Sequence, residues 1–215
     1  MLCLVFDIDD TIVEYVDFDF EEWYRMVAYP AAEMLGVEMT EEIWRDIISG
    51  RISRRYPEKF GVPYREFWRA VDRNNLRYRM YMVRRNRIRL YEDAKSIADL
   101  DGFKIAWSSS SEECVRYLLR ILDFEGVFDA IYGKDYRDYA LIDGIKPNSG
   151  LLLEIKRNHR CDECYVIGDS MVDMYAAKGG GCVGVLVDRY GNRGYSPRIR
   201  SLHELEDFLT AMRQR

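Results

Sequence analysis

Long apolar runs are missing from this 215-residue chain. None approaches the ~18 residues that a membrane-spanning helix needs, so no such helix is expected. The opening segment MLCLVFDIDD lacks the basic n-region of a secretion signal and meets an acid at its seventh residue. The expectation is a cytoplasmic protein. An excess of positive charge is also lacking: 32 Lys and Arg stand against 37 Asp and Glu, for a net charge of −5. That balance argues against nucleic acid as a partner. Five cysteines, an odd number without framework spacing, fit a reducing compartment. Cys161 and Cys164 have C-x-x-C spacing, but a zinc site would need two more ligands and only His159 is near. Two thiols in a turn before a strand are expected, with a local Cys161–Cys164 disulfide as the alternative. No internal repeat, low-complexity tract or long polar linker is found.

What is present is a globular composition, 48% hydrophobic and 32% charged, enough apolar material for a core. The length fits one large or two modest domains. Residues 1–6 read as a short, fully buried strand. Residues 14–90 then carry helix signals and almost no strand signals. Spacing over 21–36 is helical and interrupted by Pro30. Thr40 reads as an N-cap with Glu41 and Glu42 in the first turn and Gly50 past the end, and Pro63 opens another helix. From residue 91 the pattern alternates. DAKSIADL reads as a helix, 103–107 as a strand, Ser110 with Glu113 as a capping box, 128–133 as a strand and 148–158 as a helix. Strands at 164–169 and 182–187 flank another helix, and Ser201 with Glu204 caps the last one. Alternation of this kind predicts an α/β fold, a parallel sheet with helices on both faces. The first strand must join that sheet, because alone it cannot bury its backbone. Residues 1–13 and 91–215 are therefore expected to form the core domain, with 14–90 inserted as an all-helical domain.

Ligands bind beyond the carboxyl ends of strands in such sheets. After the first strand come Asp7, Asp9 and Thr11; after the second, Ser108 to Ser111. Lys146 and Pro147 lie beyond the third, and Gly168, Asp169 and Asp173 follow the fourth. Three acids within four positions, Asp7, Asp9 and Asp10, repel one another unless positive charge sits among them. Together these groups suit phosphoryl transfer. Carboxylates supply the hard oxygens that Mg²⁺ prefers, and a carboxylate can attack phosphorus. A lysine and a small hydroxyl can hold phosphoryl oxygens. The set needs no histidine, and the chain has only His159 and His203.

In these residues the sequence resembles the haloacid dehalogenase-like (HAD) superfamily. DIDDT matches its Asp-x-Asp-x-Thr motif, KIAWSSS its apolar strand ending in Ser or Thr, KP at 146 its lysine motif and GDSMVD its last acidic motif. The resemblance implies a Rossmann-like core with a C1-type helical cap between the first and second motifs. It also implies a Mg²⁺-dependent phosphatase acting on a small phosphomonoester. Carried over, Asp7 is the nucleophile. Asp9 protonates the leaving oxygen and then activates water. Asp7, the Asp9 carbonyl and Asp169 ligate Mg²⁺, and Asp173 supports or ligates it. Ser109, with Ser108 as the alternative, and Lys146 hold the phosphoryl group; Lys134 is a second candidate for the lysine role. The acid at Asp9 favours phosphate chemistry over carbon–halogen cleavage. Asp10 reads as a solvated or helix-capping acid.

Two basic stretches lie in the insertion. Arg77 to Arg89 holds six arginines and reads as a solvated face. Arg51, Arg54 and Arg55 match in position the cap loop that reads the leaving group, where an arginine could pair with a carboxylate or second phosphate. A basic helix end matching the helix dipole is the alternative. Competing readings are a phosphomutase with the same nucleophile, a phospho-acceptor signalling domain and a nucleic-acid binder. No membrane partner is expected, and the chain is expected to be a monomer or homodimer.

Overall fold

The computed structural model describes residues 1–135, 144–191 and 194–214. A six-stranded parallel sheet has the order β5-β4-β1-β6-β7-β8. Its strands are β1 (Leu2–Phe6), β4 (Phe103–Ser111), β5 (Ala130–Lys134), β6 (Glu163–Gly168), β7 (Val183–Val187) and β8 (Arg198–Ile199). The apolar first strand is central, paired with β4 through Cys3 and Phe103 and with β6 through Cys3 and Cys164. Alternate side chains of a strand point to opposite faces. Leu4 and Phe6 accordingly join one core cluster, and Cys3 and Val5 join another. The first contains Leu118 of α5 (Glu112–Ile121) and Leu205 of α8 (Leu205–Arg213). The second contains Leu152 of α6 (Gly150–His159) and Ala176 of α7 (Met171–Gly179). Both faces are thus covered, as a parallel sheet requires.

Between β1 and β4 the chain is mostly helical. A short helix α1 (Phe20–Trp23) runs through a π turn at Tyr24–Ala28 into α2 (Tyr29–Leu35). Pro30 sits in the first turn of α2 and, having no N–H, cannot donate back to the preceding turn; the π turn lies at that join. Helix α3 (Glu41–Ile48) is capped by Thr40, whose hydroxyl accepts from the Ile43 N–H. Helix α4 (Tyr64–Arg84) starts immediately after Pro63.

Several local expectations need correction. The insertion is flanked by a two-stranded antiparallel ribbon, β2 (Val13–Tyr15) and β3 (Ile88–Leu90), which pairs Val13 with Leu90. Three residues are too few to show a strand period. Strand β4 runs on through the serines, with an irregularity between Trp107 and Ser111. Its helix is therefore capped by Ser111, not Ser110. The DAKSIADL segment is a 3₁₀ run over Glu92–Asp99.

The cysteines also differ from expectation. Cys3 is joined to Cys161 and Cys164 to Cys182 by disulfides, while Cys114 is a buried free thiol. Neither a pair of thiols nor a Cys161–Cys164 bridge is present. Parallel strands bring residues remote in sequence side by side at one sheet end, and that adjacency sets the pairing. No helix among the described residues is long and apolar enough to cross a membrane.

Candidate active site

Asp7 leaves the end of β1 with its N–H donating to the Ile167 carbonyl of β6 at 2.8 Å. Its carboxylate is thereby fixed at the carboxyl edge of the sheet. Lys146, buried, donates from Nζ to Asp7 Oδ1 at 2.6 Å and to the Trp107 carbonyl at 2.9 Å, and it pairs with Asp173 Oδ1 at 2.7 Å. The Thr11 hydroxyl donates to Asp7 Oδ2 at 3.2 Å. Burial pushes the Asp7 carboxyl well above the usual carboxylate range. Lys146 opposes the rise, and Asp173, Asp169 and Asp9 add to it. Burial alone would lower the Lys146 ammonium, but Asp173 and Asp7 hold it above its ordinary value.

Carboxylate oxygens of Asp7, Asp169 and Asp173 lie within 4.8 Å of one another. Three hard oxygen donors around one point suit a hard divalent cation. Helix α7 positions the group. Ser170 and Asp173 form a capping box in which Asp173 Oδ2 accepts from the Ser170 N–H and hydroxyl. Gly168 is required just before it. A methyl group there would lie 2.5 Å from the Asp173 carboxyl carbon.

Asp9 faces a different set of partners. Its Oδ1 accepts from the Tyr15 hydroxyl at 2.6 Å, and its Oδ2 accepts from Arg79 Nη2 at 3.0 Å and from the Ser108 hydroxyl at 3.2 Å. Burial raises this carboxyl. The Arg79 charge and the three donors outweigh burial and hold it below the ordinary value. Asp10 is exposed, at φ 61°, in the turn that leads to β2. That is the left-handed region, which aspartate tolerates better than most residues.

The structure gathers Asp7, Asp9, Ser109, Lys146, Asp169 and Asp173 at one sheet edge, with Ser109 lining the cavity above it. Ser108 is turned to Asp9. Lys146 takes the place beside Asp7, while Lys134 forms a separate buried pair with Asp72 at 2.7 Å. Of the three loop arginines, Arg54 lines the cavity and donates to the Lys146 carbonyl at 2.5 Å. Arg51 pairs with Asp46 and Arg55 with Glu58 on the surface.

Sequence reading missed Tyr15, Asp72 and Arg79. Arg79 corrects the expectation that 77–89 is only a solvated face, for it is 4% exposed. The signal was available in the spacing of Asp72, Asn75, Arg79 and Met82, all buried on one side of α4. A polar residue in such a stripe marks a buried polar contact.

A model of the haloacid dehalogenase-like hydrolases matches residues 1–181. No curated protein matches the chain. Solved structures do. CbbY from Rhodobacter sphaeroides, in complex with phosphate, is 18% identical with a TM-score of 0.67, over 95% of this chain and 96% of that one. A predicted phosphoglycolate phosphatase from Haemophilus somnus is 16% identical with a TM-score of 0.62, over 96% and 97%. A magnesium-bound HAD hydrolase, YfnB from Bacillus subtilis, is 16% identical with a TM-score of 0.58, over 97% and 98%. At these identities the likeness is one of fold.

Proposed function

The chain belongs to the haloacid dehalogenase-like hydrolases, and from that premise we propose that it is a Mg²⁺-dependent phosphatase of small phosphomonoesters. The observation that carries the reading is the buried Asp7–Lys146–Asp173 cluster beside Asp169, with a second acid, Asp9, held separately. Residues 1–13 and 91–215 form the catalytic core in this reading, and 14–90 its cap. CbbY bound to phosphate and the predicted phosphoglycolate phosphatase give the choice of phosphate chemistry a parallel in the same fold.

In the first half-reaction an Asp7 carboxylate oxygen attacks phosphorus. The bond from phosphorus to the ester oxygen breaks, and Asp9 gives that oxygen its proton. In the second half Asp9 takes a proton from water, the hydroxide oxygen attacks phosphorus, and the bond to Asp7 breaks to release inorganic phosphate. Asp7, Asp169 and Asp173 would hold the Mg²⁺ with the Asp9 carbonyl, and when bound the ion neutralises phosphoryl oxygens and favours the ionised form of Asp7. Lys146 and Ser109 hold the transferred group.

Asp9 is ionised when Arg79 and Tyr15 hold it, which suits the second half. The negative charge of an incoming phosphate beside Asp9 favours the protonated acid that the first half needs. Closure of the helical insertion over the site excludes bulk water. The test is phosphate release from p-nitrophenyl phosphate with Mg²⁺ supplied. Wild-type protein is expected to turn over and Asp7→Asn to lose turnover. Retained activity in the variant would remove Asp7 as nucleophile.

A further inference from the structure

Between the sheet edge and the helical insertion lies a cavity of about 270 Å³, near the lower end of small-molecule sites (~300 Å³ upward). Its lining holds three of the four tryptophans of the chain, Trp23, Trp44 and Trp68, together with Tyr15, Phe18 and Tyr78. The tryptophans form a connected wall. Trp44 lies 5.8 Å from Trp23 and 5.3 Å from Trp68 between ring centroids, at tilts of 45° and 39°.

Most polar groups of this lining are already engaged within the protein. Trp23 Nε1 donates to Asn75, Trp68 Nε1 to the Arg54 carbonyl, the Tyr15 hydroxyl to Asp9 and the Tyr78 hydroxyl to Glu22. Lys134 is paired with Asp72 and Lys146 with Asp7. Trp44, Trp68 and Tyr78 are packed into the core behind this surface, so what the wall offers a ligand is the partly exposed rings of Trp23, Tyr15 and Phe18 rather than hydrogen bonds. Three buried donors are exceptions: Trp44 Nε1 and the Nε and Nη1 of Arg79 have no partner among the described residues. All three are closed off from solvent and do not serve a ring of hydroxyls. A polyhydroxylated leaving group would lose water at several hydroxyls without replacement partners, each at a cost. A flat ring would stack.

We propose that this cavity selects phosphomonoesters of flat aromatic alcohols over sugar and polyol phosphates. The inference rests on the phosphatase reading for the fate of the phosphoryl group and on the aromatic wall for the leaving group, so the two can be tested apart.

The experiment compares (2-naphthyl)methyl phosphate with glucose 6-phosphate, both primary alkyl esters, so that leaving-group acidity does not decide the result. With Mg²⁺, kcat/KM for the naphthyl ester is expected to exceed that for glucose 6-phosphate by about 30-fold or more, the scale of burying one ring system. Trp23, half-buried at the wall, is the residue to vary. Trp23→Leu is expected to raise KM for the naphthyl ester about tenfold and to narrow the ratio between the substrates. A merely structural role would depress both substrates together and keep the ratio. In parallel, (2-naphthyl)methylphosphonate is titrated against the Asp7→Asn variant and followed by tryptophan fluorescence. Saturable quenching, weakened by adding Trp23→Leu, is expected. A comparable or greater kcat/KM for glucose 6-phosphate, or an unchanged ratio in Trp23→Leu, overturns the proposal and leaves the phosphatase standing. Quenching by the phosphonate without turnover of either ester supports the cavity and overturns the phosphatase. Neither quenching nor turnover overturns both.

Discussion

The two walls of the site are built by opposite means. On the core side, Asp7, Lys146 and Asp173 converge because parallel strands end at one edge. Each side chain there is tied to another by an ion pair or to backbone. On the insertion side, Arg79 and the tryptophans stand on helices, chosen by which face is turned inward. Strand ends hold groups of fixed charge at short distances. Helix faces offer shape and apolar area. In the proposed reading, chemistry belongs with the first wall and selection with the second.

The largest effect that would break this contrast is at Lys146. Lys146→Met leaves Asp7 and Asp173 buried without their cation. Turnover is expected to fall about 10³-fold, and the variant without Mg²⁺ should unfold in less urea by about 3 kcal/mol or more. An active and stable Lys146→Met would mean that the core wall does not depend on its fixed charge.

Next come the two disulfides, which staple the opposite end of the same sheet. The Cys3–Cys161 bridge closes a long loop, with a sequence separation of 158. Reduction should destabilise by about 3 kcal/mol, read from urea unfolding with and without dithiothreitol. It should leave phosphate release per folded molecule unchanged, since the bridges lie away from the carboxyl edge.

A smaller effect is expected on the helical wall. Arg79→Gln removes the charge from Asp9 and leaves a donor in reach of it. Turnover is expected to fall about 10- to 100-fold, far less than for Lys146→Met. Equal losses would show that both walls do chemistry.

The seam between the walls gives the smallest effect. Arg189 donates to both carboxylate oxygens of Asp93, which follows β3, and to the Thr11 carbonyl, which precedes β2. Burial raises the Asp93 carboxyl, but Arg189, the Leu202 N–H and Ser201 together hold it below its ordinary 3.8. A carboxyl depressed on folding stabilises above its unfolded value, and that contribution is lost as pH falls through the folded one. The unfolding free energy should therefore drop by about 1 kcal/mol between pH 5 and pH 2 at this group. Asp93→Asn should remove that part of the acid dependence, checked by urea titrations at the two pH values.

The core wall was readable in the sequence because its residues sit where apolar runs stop. Asp7 follows five strand residues, and Asp169 follows β6. Ser109 was harder to place, since β4 does not stop where its apolar run stops. Arg79 was overlooked because six arginines in one stretch look like a solvated face until the helical spacing with Asp72 and Asn75 is followed. The cysteine pairs had no local signal, for Cys3 and Cys161 are neighbours only once β1 and β6 are paired.

By itself, the sequence determined the alternation of strands and helices, the order of the acidic motifs and the site of the insertion. Those features follow from local period and from where hydrophobic runs end. Tertiary structure alone decided that Arg79 reaches Asp9, that three tryptophans share one cavity and which cysteines pair. Each of these depends on distances between segments remote in sequence, and such distances are set by packing rather than by any local pattern.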